Sequence, residues 1–253
     1  MRTRLLLVSL VAACAALLAP APAGAITYGS PDGTAHPATG GLVAATQYSD
    51  GTWIYCSGSL ISSTVFLTAA HCGEGGSGQV RVTFSSAYQD GDKTYTGTFH
   101  ADPAYTSNNG DPHDMAVVVL DQAVTGITPV RLPAAGSLSG LKHGAAIVGV
   151  GYGAYAVPSA PGGHQYLYDD VRESATGTLD SVNQTWLRIA EKASQGTGGG
   201  CFGDSGGPNF LAGTDIEAAT TITGDALCKS TNTAYRLDTA SARAFLGQYV
   251  TLP

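Results

Sequence analysis

Apolar and polar positions alternate over two short stretches of the chain, other stretches are short apolar runs between loops, and only its end follows a helical period. Gln79-Val80-Arg81-Val82-Thr83-Phe84 alternates as a strand with one buried face does. Thr94 to Phe99 alternates more loosely. Trp53 to Ala70 is rich in β-branched, aromatic and small residues, with Gly58 as a bend or a close-approach point. Met115 to Leu120 is a continuous apolar run, the pattern of a strand covered on both faces. Residues 125 to 144 are punctuated by Gly126, Pro129, Pro133, Gly136, Gly140 and Gly144, which predicts a connector. Ala145 to Val150 opens a second series of strands, and Thr185 to Ala190 continues it. Residues 153 to 170 hold Pro158, Pro161, Gly162 and Gly163 and predict a long surface loop. Gln195 to Gly200 predicts another loop, rich in glycine. Thr239 to Val250 places Ala240, Ala244, Phe245 and Val250 near one helix face, with Thr239 or Asp238 as cap. Many short strands, long loops and one terminal helix predict an all-β protein of barrels or sandwiches.

The first 25 residues differ from the rest. Arg2 and Arg4 precede an apolar run from Leu5 to Leu18 broken only by Ser9, and Pro20, Pro22 and Ala23-Gly24-Ala25 follow. A basic start, an apolar centre and a small-residue end form the pattern of a secretory signal peptide cut after Ala25. The apolar run is short for a bilayer span. The expected protein is therefore exported, extracellular and free of the membrane once residues 1–25 are removed.

Composition agrees with export. The 253 residues include only 12% charged residues and 34 glycines, which suits a loop-rich β protein. Loss of Arg2 and Arg4 takes the formal charge from −7 to −9. Such an acidic chain has no basic stripe for nucleic acid. Loss of Cys14 leaves Cys56, Cys72, Cys201 and Cys228, an even number that reads as two disulfides with three possible pairings.

Three segments carry chemistry: Leu67-Thr68-Ala69-Ala70-His71-Cys72, His113-Asp114-Met115-Ala116, and Gly203-Asp204-Ser205-Gly206-Gly207-Pro208. A serine hydroxyl is a weak nucleophile unless a base removes its proton during attack. Histidine suits that task near neutrality, and a carboxylate fixes its tautomer and stabilises the imidazolium. The order His, Asp, Ser is that of chymotrypsin rather than of subtilisin or the α/β-hydrolases. His36, His100, His143 and His164 stand in no such context and receive no role; His113 is read as a neighbour of the site.

With these segments the chain resembles the trypsin-like serine peptidases, of the secreted bacterial type. Cys56-Ser57-Gly58-Ser59-Leu60-Ile61, Gly151-Tyr152-Gly153 and Tyr235-Arg236-Leu237 extend the resemblance over nearly all of residues 26 to 253. It implies two packed six-stranded antiparallel β-barrels with a C-terminal helix. The first barrel would span about 26–130, the second about 145–238 and the helix about 239–250. It further implies His71, Asp114 and Ser205 as a catalytic triad, with the N–H groups of Gly203 and Ser205 as the oxyanion hole. The pairings Cys56–Cys72 and Cys201–Cys228 follow from it too, as does an activating ion pair between the amine of Ile26 and Asp204. Signal cleavage after Ala25 would free that amine directly.

The resemblance places the substrate pocket at Gly199, Gly200, Phe202, Ile222, Thr223, Gly224 and Asp225. Gly199 occupies the pocket-floor position that is aspartate in trypsins, so strict trypsin specificity is not expected; a neutral floor is more similar to chymotrypsin- or elastase-like enzymes. Ile222-Thr223-Gly224 replaces the usual Ser-Trp-Gly. Asp225 is read as a solvated loop charge, with a secondary preference for basic groups as the alternative. Asp90-Gly91-Asp92 is a weak calcium signal; no metal and no cofactor are expected. The implied activity is a secreted serine endopeptidase acting on proteins or peptides as a monomer, with protein protease inhibitors as further partners. A silent binding protein on the same fold and an esterase are the alternatives.

Overall fold

Among the described residues, fifteen short strands and one short α-helix arise from these patterns. A computed structural model describes residues 26–73, 78–106, 110–160 and 163–253, so the segment read as a signal peptide lies outside the described residues. In chain order the strands are β1 (Ser30–Pro31), β2 (Thr39–Val43), β3 (Ile54–Ser62), β4 (Val65–Thr68), β5 (Gln79–Thr83), β6 (Thr94–Ala101), β7 (Ala116–Leu120) and β8 (Ala146–Gly151). They continue as β9 (Tyr155–Ala160), β10 (Gly163–Leu167), β11 (Glu173–Val182), β12 (Trp186–Ala190), β13 (Pro208–Leu211), β14 (Glu217–Gly224) and β15 (Thr231–Arg236), followed by α1 (Ala240–Leu246).

Two antiparallel barrels of six strands result. The first closes in the order β2-β3-β4-β7-β6-β5. The second runs β11-β12-β15-β14-β13-β8 and closes through the β11–β8 ladder, with β1 added at the edge of β11. Closure removes the free edges that an open sheet would present. The continuous apolar run at β7 is covered on both faces, and its neighbours β4 and β6 place Leu67 and Phe99 in the same core. That core extends across the barrel interface to Val150, Phe210 and Tyr235, and on to Phe245 and Leu246 of α1. The second barrel has its own filling of Leu138, Ile147, Leu179, Leu187 and Ile189.

Three local expectations change. The stretch 153–170 contains the antiparallel β9–β10 hairpin rather than an unstructured loop. The ten-residue β11 was not expected: its inward positions include Glu173 and Gly177, so the apolar signal is weak although burial alternates. In α1 the buried residues are Ala242, Phe245 and Leu246, whereas Ala240 and Ala244 are exposed. Only three residues, Leu237 to Thr239, separate the helix from β15, so the direction in which the chain leaves that strand limits which face meets the core. Thr239 is its cap, accepting from Ala242 N at 3.2 Å. No helix among the described residues is long and apolar enough to cross a membrane.

Candidate active site

β4 ends at Thr68, and the chain tightens at once into a short 3-10 turn, Ala70–Cys72, that carries His71. The Cys56–Cys72 disulfide ties this turn to β3. Asp114 lies just before β7, the strand that pairs with β4, so the β4–β7 ladder brings the two residues together. His113 adopts φ of +49°, a left-handed conformation uncommon for a residue with a side chain. Its half-buried ring stands 3.2 Å from Asp102 Oδ2 and 3.7 Å from Asp111 Oδ2. Asp114 is buried and holds His71 twice: Oδ1 accepts from His71 N at 3.0 Å, and Oδ2 meets His71 Nδ1 at 2.7 Å. This leaves Nε2 as the nitrogen available to a proton donor.

Ser205 comes from the second barrel, in the loop between β12 and β13. Asp204 staples that loop: Oδ1 accepts from Gly153 N and Oδ2 from Cys201 N, each at 2.8 Å. Ser57 of β3 braces it from the first barrel. Its N–H donates to Ser205 O at 2.8 Å and its Oγ to Gly203 O at 3.0 Å, while Oγ accepts from Tyr152 N at 2.9 Å. Gly203 has φ of +93°, a conformation that a side chain would strain. Among the described residues the N–H groups of Gly203 and Ser205 donate to no protein acceptor. Two unengaged donors beside a serine are what an oxyanion requires. Ser205 shares one cavity with His71, although no hydrogen bond joins their side chains.

This cavity, of about 420 Å³, is the cleft between the barrels, and it is also lined by Gly200, Phe202, Ile222, Thr223, Gly224, Asp225 and Asn232. Beyond Thr220, β14 has no partner strand on its β13 side, and Thr223 and Gly224 are exposed there. Phe202 stands at the rim, 48% exposed, with its ring edge-on to Tyr166 of β10 at 4.9 Å. Tyr166 also donates to Ala226 O, so the hairpin leans on the pocket wall. Asp225 is not merely solvated: its carboxylate accepts from the N–H groups of Lys229, Ser230 and Thr231, which holds its carboxyl below the usual range despite partial burial. The Cys201–Cys228 disulfide closes the far wall.

The sequence model of trypsin matches residues 32–244. The chain belongs to the trypsin family. No curated protein sequence matches it. A solved structure titled as an HL collagenase shares the fold, with a TM-score of 0.67 over 88% of this chain and 96% of that one, at 19% identity. As a member of the trypsin family the chain is a serine endopeptidase by class, and both disulfides pair as the resemblance implied.

Two features of this trypsin-family site depart from expectation. The nitrogen of Ile26, wholly buried, donates to Glu173 Oε2 at 3.1 Å, and Asp204 is held by amides instead of by Ile26. The two acids are nonetheless neighbours: Glu173 pairs with Gly151 across β11–β8, and the Asp204 carboxylate packs against Gly151. Burial, with the charge of Glu173 added, pushes Asp204 up to about 7. The other feature is Glu191, one residue past β12. It is fully buried behind Gly199, and apart from the approach of the Gly200 amide neither oxygen meets a well-aligned hydrogen-bond donor among the described residues. Burial pushes its carboxyl up to about 8, with the Gly200 amide only partly opposing and Asp204 and Asp225 adding to the rise.

Ser57, Glu173 and Glu191 were not singled out in the sequence. Ser57 sits inside a family-like motif and could have been found; the two glutamates lie in no motif. The grouping of Cys56, His71 and Cys72 has metal-ligand atoms close together, but both sulfurs are bonded to each other. Asp92 accepts from Ser85 Oγ at 2.8 Å and Gln89 N at 3.1 Å, so it serves its own turn.

Proposed function

We propose that the protein is a secreted endopeptidase whose triad is His71, Asp114 and Ser205. The observation that carries this reading is the His71–Asp114 pair at 2.7 Å, facing Ser205 across one cavity beside two unengaged N–H donors. Ser205 Oγ attacks the peptide carbonyl carbon while His71 Nε2 takes its proton. Charge on the carbonyl oxygen is received by the N–H groups of Gly203 and Ser205. His71 then protonates the leaving amine, the acyl-enzyme forms on Ser205, and water releases it by the reverse roles. The substrate strand lies along Ile222–Gly224 as an antiparallel addition. The protein acts as a monomer outside the cell, and the same cleft would receive a protein inhibitor.

Activation follows from the N-terminus. Cleavage after Ala25 converts the Ile26 nitrogen from an amide into an ammonium beside Glu173 and close to Asp204. A cation there stabilises two buried carboxylates that are otherwise costly. This orders the loop that presents Gly203 and Ser205.

The test is digestion of a denatured protein by the form beginning at Ile26, with Ser205→Ala as control. The substitution should remove at least about 10³-fold of activity. Digestion that persists in the variant, or ester cleavage without any peptide cleavage, would overturn the reading. A form carrying extra residues before Ile26 should be far less active than the one beginning at Ile26.

A further inference from the structure

The carboxylate that orients His71 is itself held by little. Among the described residues the oxygens of Asp114 bond only to His71, so the backbone that carries Asp114 sets their direction. That backbone makes a tight reversal. Met115 N donates to His113 O at 2.8 Å, the i to i+2 bond of a γ-turn with Asp114 at its apex. On the entry side His113 has φ of +49°, which residues with side chains seldom adopt. Such a conformation persists where the surroundings enforce it. On the exit side Met115 O accepts from Asp102 N at 2.9 Å, and β7 begins.

The His113 ring meets two acids. Nδ1 stands 3.2 Å from Oδ2 of the buried Asp102, which directly follows β6, and Nε2 stands 3.7 Å from Asp111 Oδ2. Each acid is anchored elsewhere. Asp102 Oδ1 accepts from Ala104 N at 2.9 Å, and Asp111 Oδ1 accepts from the Tyr235 hydroxyl of β15 and from His113 N at 3.3 Å. Burial acts to raise Asp111, but Tyr235, Ser241 and His113 outweigh it and hold its carboxyl below the usual range. The other titratable groups nearby are phenols: Tyr105 beside Asp114, and Tyr249 beside Asp102. Arg236 and Arg243 border the hollow that holds Asp111, but their guanidiniums are engaged by Asp238 and by the carbonyls of Asn183, Pro133 and Pro253. His113 is the basic group that both Asp102 and Asp111 meet, and through them it is tied to both barrels.

We propose that His113 is a positioning residue for catalysis: its ring, held between Asp102 and Asp111, keeps the left-handed turn that aims Asp114 at His71. The inference rests on the peptidase reading above. Without the ring, the peptide before Asp114 is free to leave the left-handed region, and the Asp114 carboxylate turns with it. The bond to His71 Nδ1 then weakens, and with it the control of the tautomer that leaves Nε2 ready for the Ser205 proton. His113 does not line the substrate cavity, so its loss acts on the chemical step and not on binding.

The experiment uses protein beginning at Ile26, with active sites first counted by a phosphonylating reagent directed at Ser205. His113→Gly accepts the same φ without strain but carries no ring. His113→Asn tolerates the left-handed conformation and still offers Asp102 an N–H. On a peptide substrate His113→Gly should lower kcat by about 10- to 10²-fold with KM held within about twofold, and His113→Asn should recover most of the loss. The downfield proton resonance of the His71–Asp114 hydrogen bond, assigned by its absence from Asp114→Asn, gives a second readout. It should be sharp in the wild type and in His113→Asn, and shifted or broadened in His113→Gly. Unchanged kcat in His113→Gly overturns the proposal, because the turn would then need no ring. A fall in kcat with the resonance unchanged, or a loss carried by KM, overturns it as well, since neither acts through Asp114. Failure of the reagent to label Ser205 in the wild type would instead overturn the triad. Should His113→Gly not fold, Asp102→Asn keeps an acceptor for Ala104 N and removes the charge opposite the ring. It must then lower kcat at constant KM for the proposal to stand.

Discussion

Ser57 shows how one hydroxyl from the first barrel sets geometry in the second. Its Oγ bridges Gly203 O and Tyr152 N, so it holds the carbonyl of the residue whose N–H is proposed to receive the oxyanion. Ser57→Ala would leave two buried partners unsatisfied, and each such loss costs about 1–3 kcal/mol. The expected outcome is a fall in kcat of roughly tenfold or more with KM changed less, since the donor is used mainly in the transition state. Steady-state kinetics on a peptide substrate checks this, and an equal change in KM alone would contradict it. Glu191 carries a pH signature of its own. Its carboxyl is pushed up to about 8 by burial and by Asp204 and Asp225, so its charge appears only as the pH rises through that value. The proposed triad was legible because each of His71, Asp114 and Ser205 sits within a contiguous motif. Glu191 and Glu173 were not, because the direction of each depends on strand register and on which neighbours across the sheet are glycine.

At the scale of elements, alternation located β5 and β6, and the unbroken apolar run located β7. The hairpin β9–β10 escaped because Pro158 and the surrounding glycines read as loop punctuation, and a two-stranded ladder tolerates them where a barrel interior does not. β11 escaped because its buried positions include Glu173 and Gly177; their burial is imposed by β8 and β1 on either side. The helix was expected in the right place and with Phe245 inward, but Ala242 and Leu246 share the buried face in place of Ala240 and Ala244. Its seven residues are too few to be stable alone. Docking of Phe245 and Leu246 therefore carries it, and the Thr239 cap adds a local increment. Thr239→Ala should lower stability by about 1 kcal/mol. Denaturant unfolding checks the value, with activity expected to hold because the helix lies away from Ser205 and His71.

Across the whole molecule, buried polar groups join the two barrels alongside the shared apolar core. Arg172 of the second barrel, wholly buried, donates to Asp32 Oδ2 at 3.0 Å and to the carbonyls of Thr39, Phe84 and Gly33. Ser59 of β3 donates to Glu217 of β14, a carboxyl pushed up to about 8 by burial. Glu191 and Asp204 are likewise raised, to about 8 and about 7. The sign of their joint effect is fixed by linkage. A carboxyl raised on folding is protonated in the native state and ionised in the unfolded chain between its two pKa values, so each of these groups lowers stability as pH rises from about 5 to 8. Asp32 acts oppositely. Burial would raise it, but His36 and Arg172 outweigh that and hold it at about 2, so its contribution is complete above about pH 4 and is lost only as pH falls toward 2. Stability set by these four acids should therefore be greatest near pH 5 and decline toward pH 8. Thermal unfolding of Ser205→Ala, chosen to prevent self-digestion, should show a higher midpoint at pH 5 than at pH 8. The decline should be steeper in a form with extra residues before Ile26 than in the form beginning at Ile26. Only the latter places an ammonium beside Glu173 and Asp204, which favours their ionised forms and removes part of the slope. Equal slopes in the two forms would mean that the N-terminus does not reach these acids, and would break the link between export and activation.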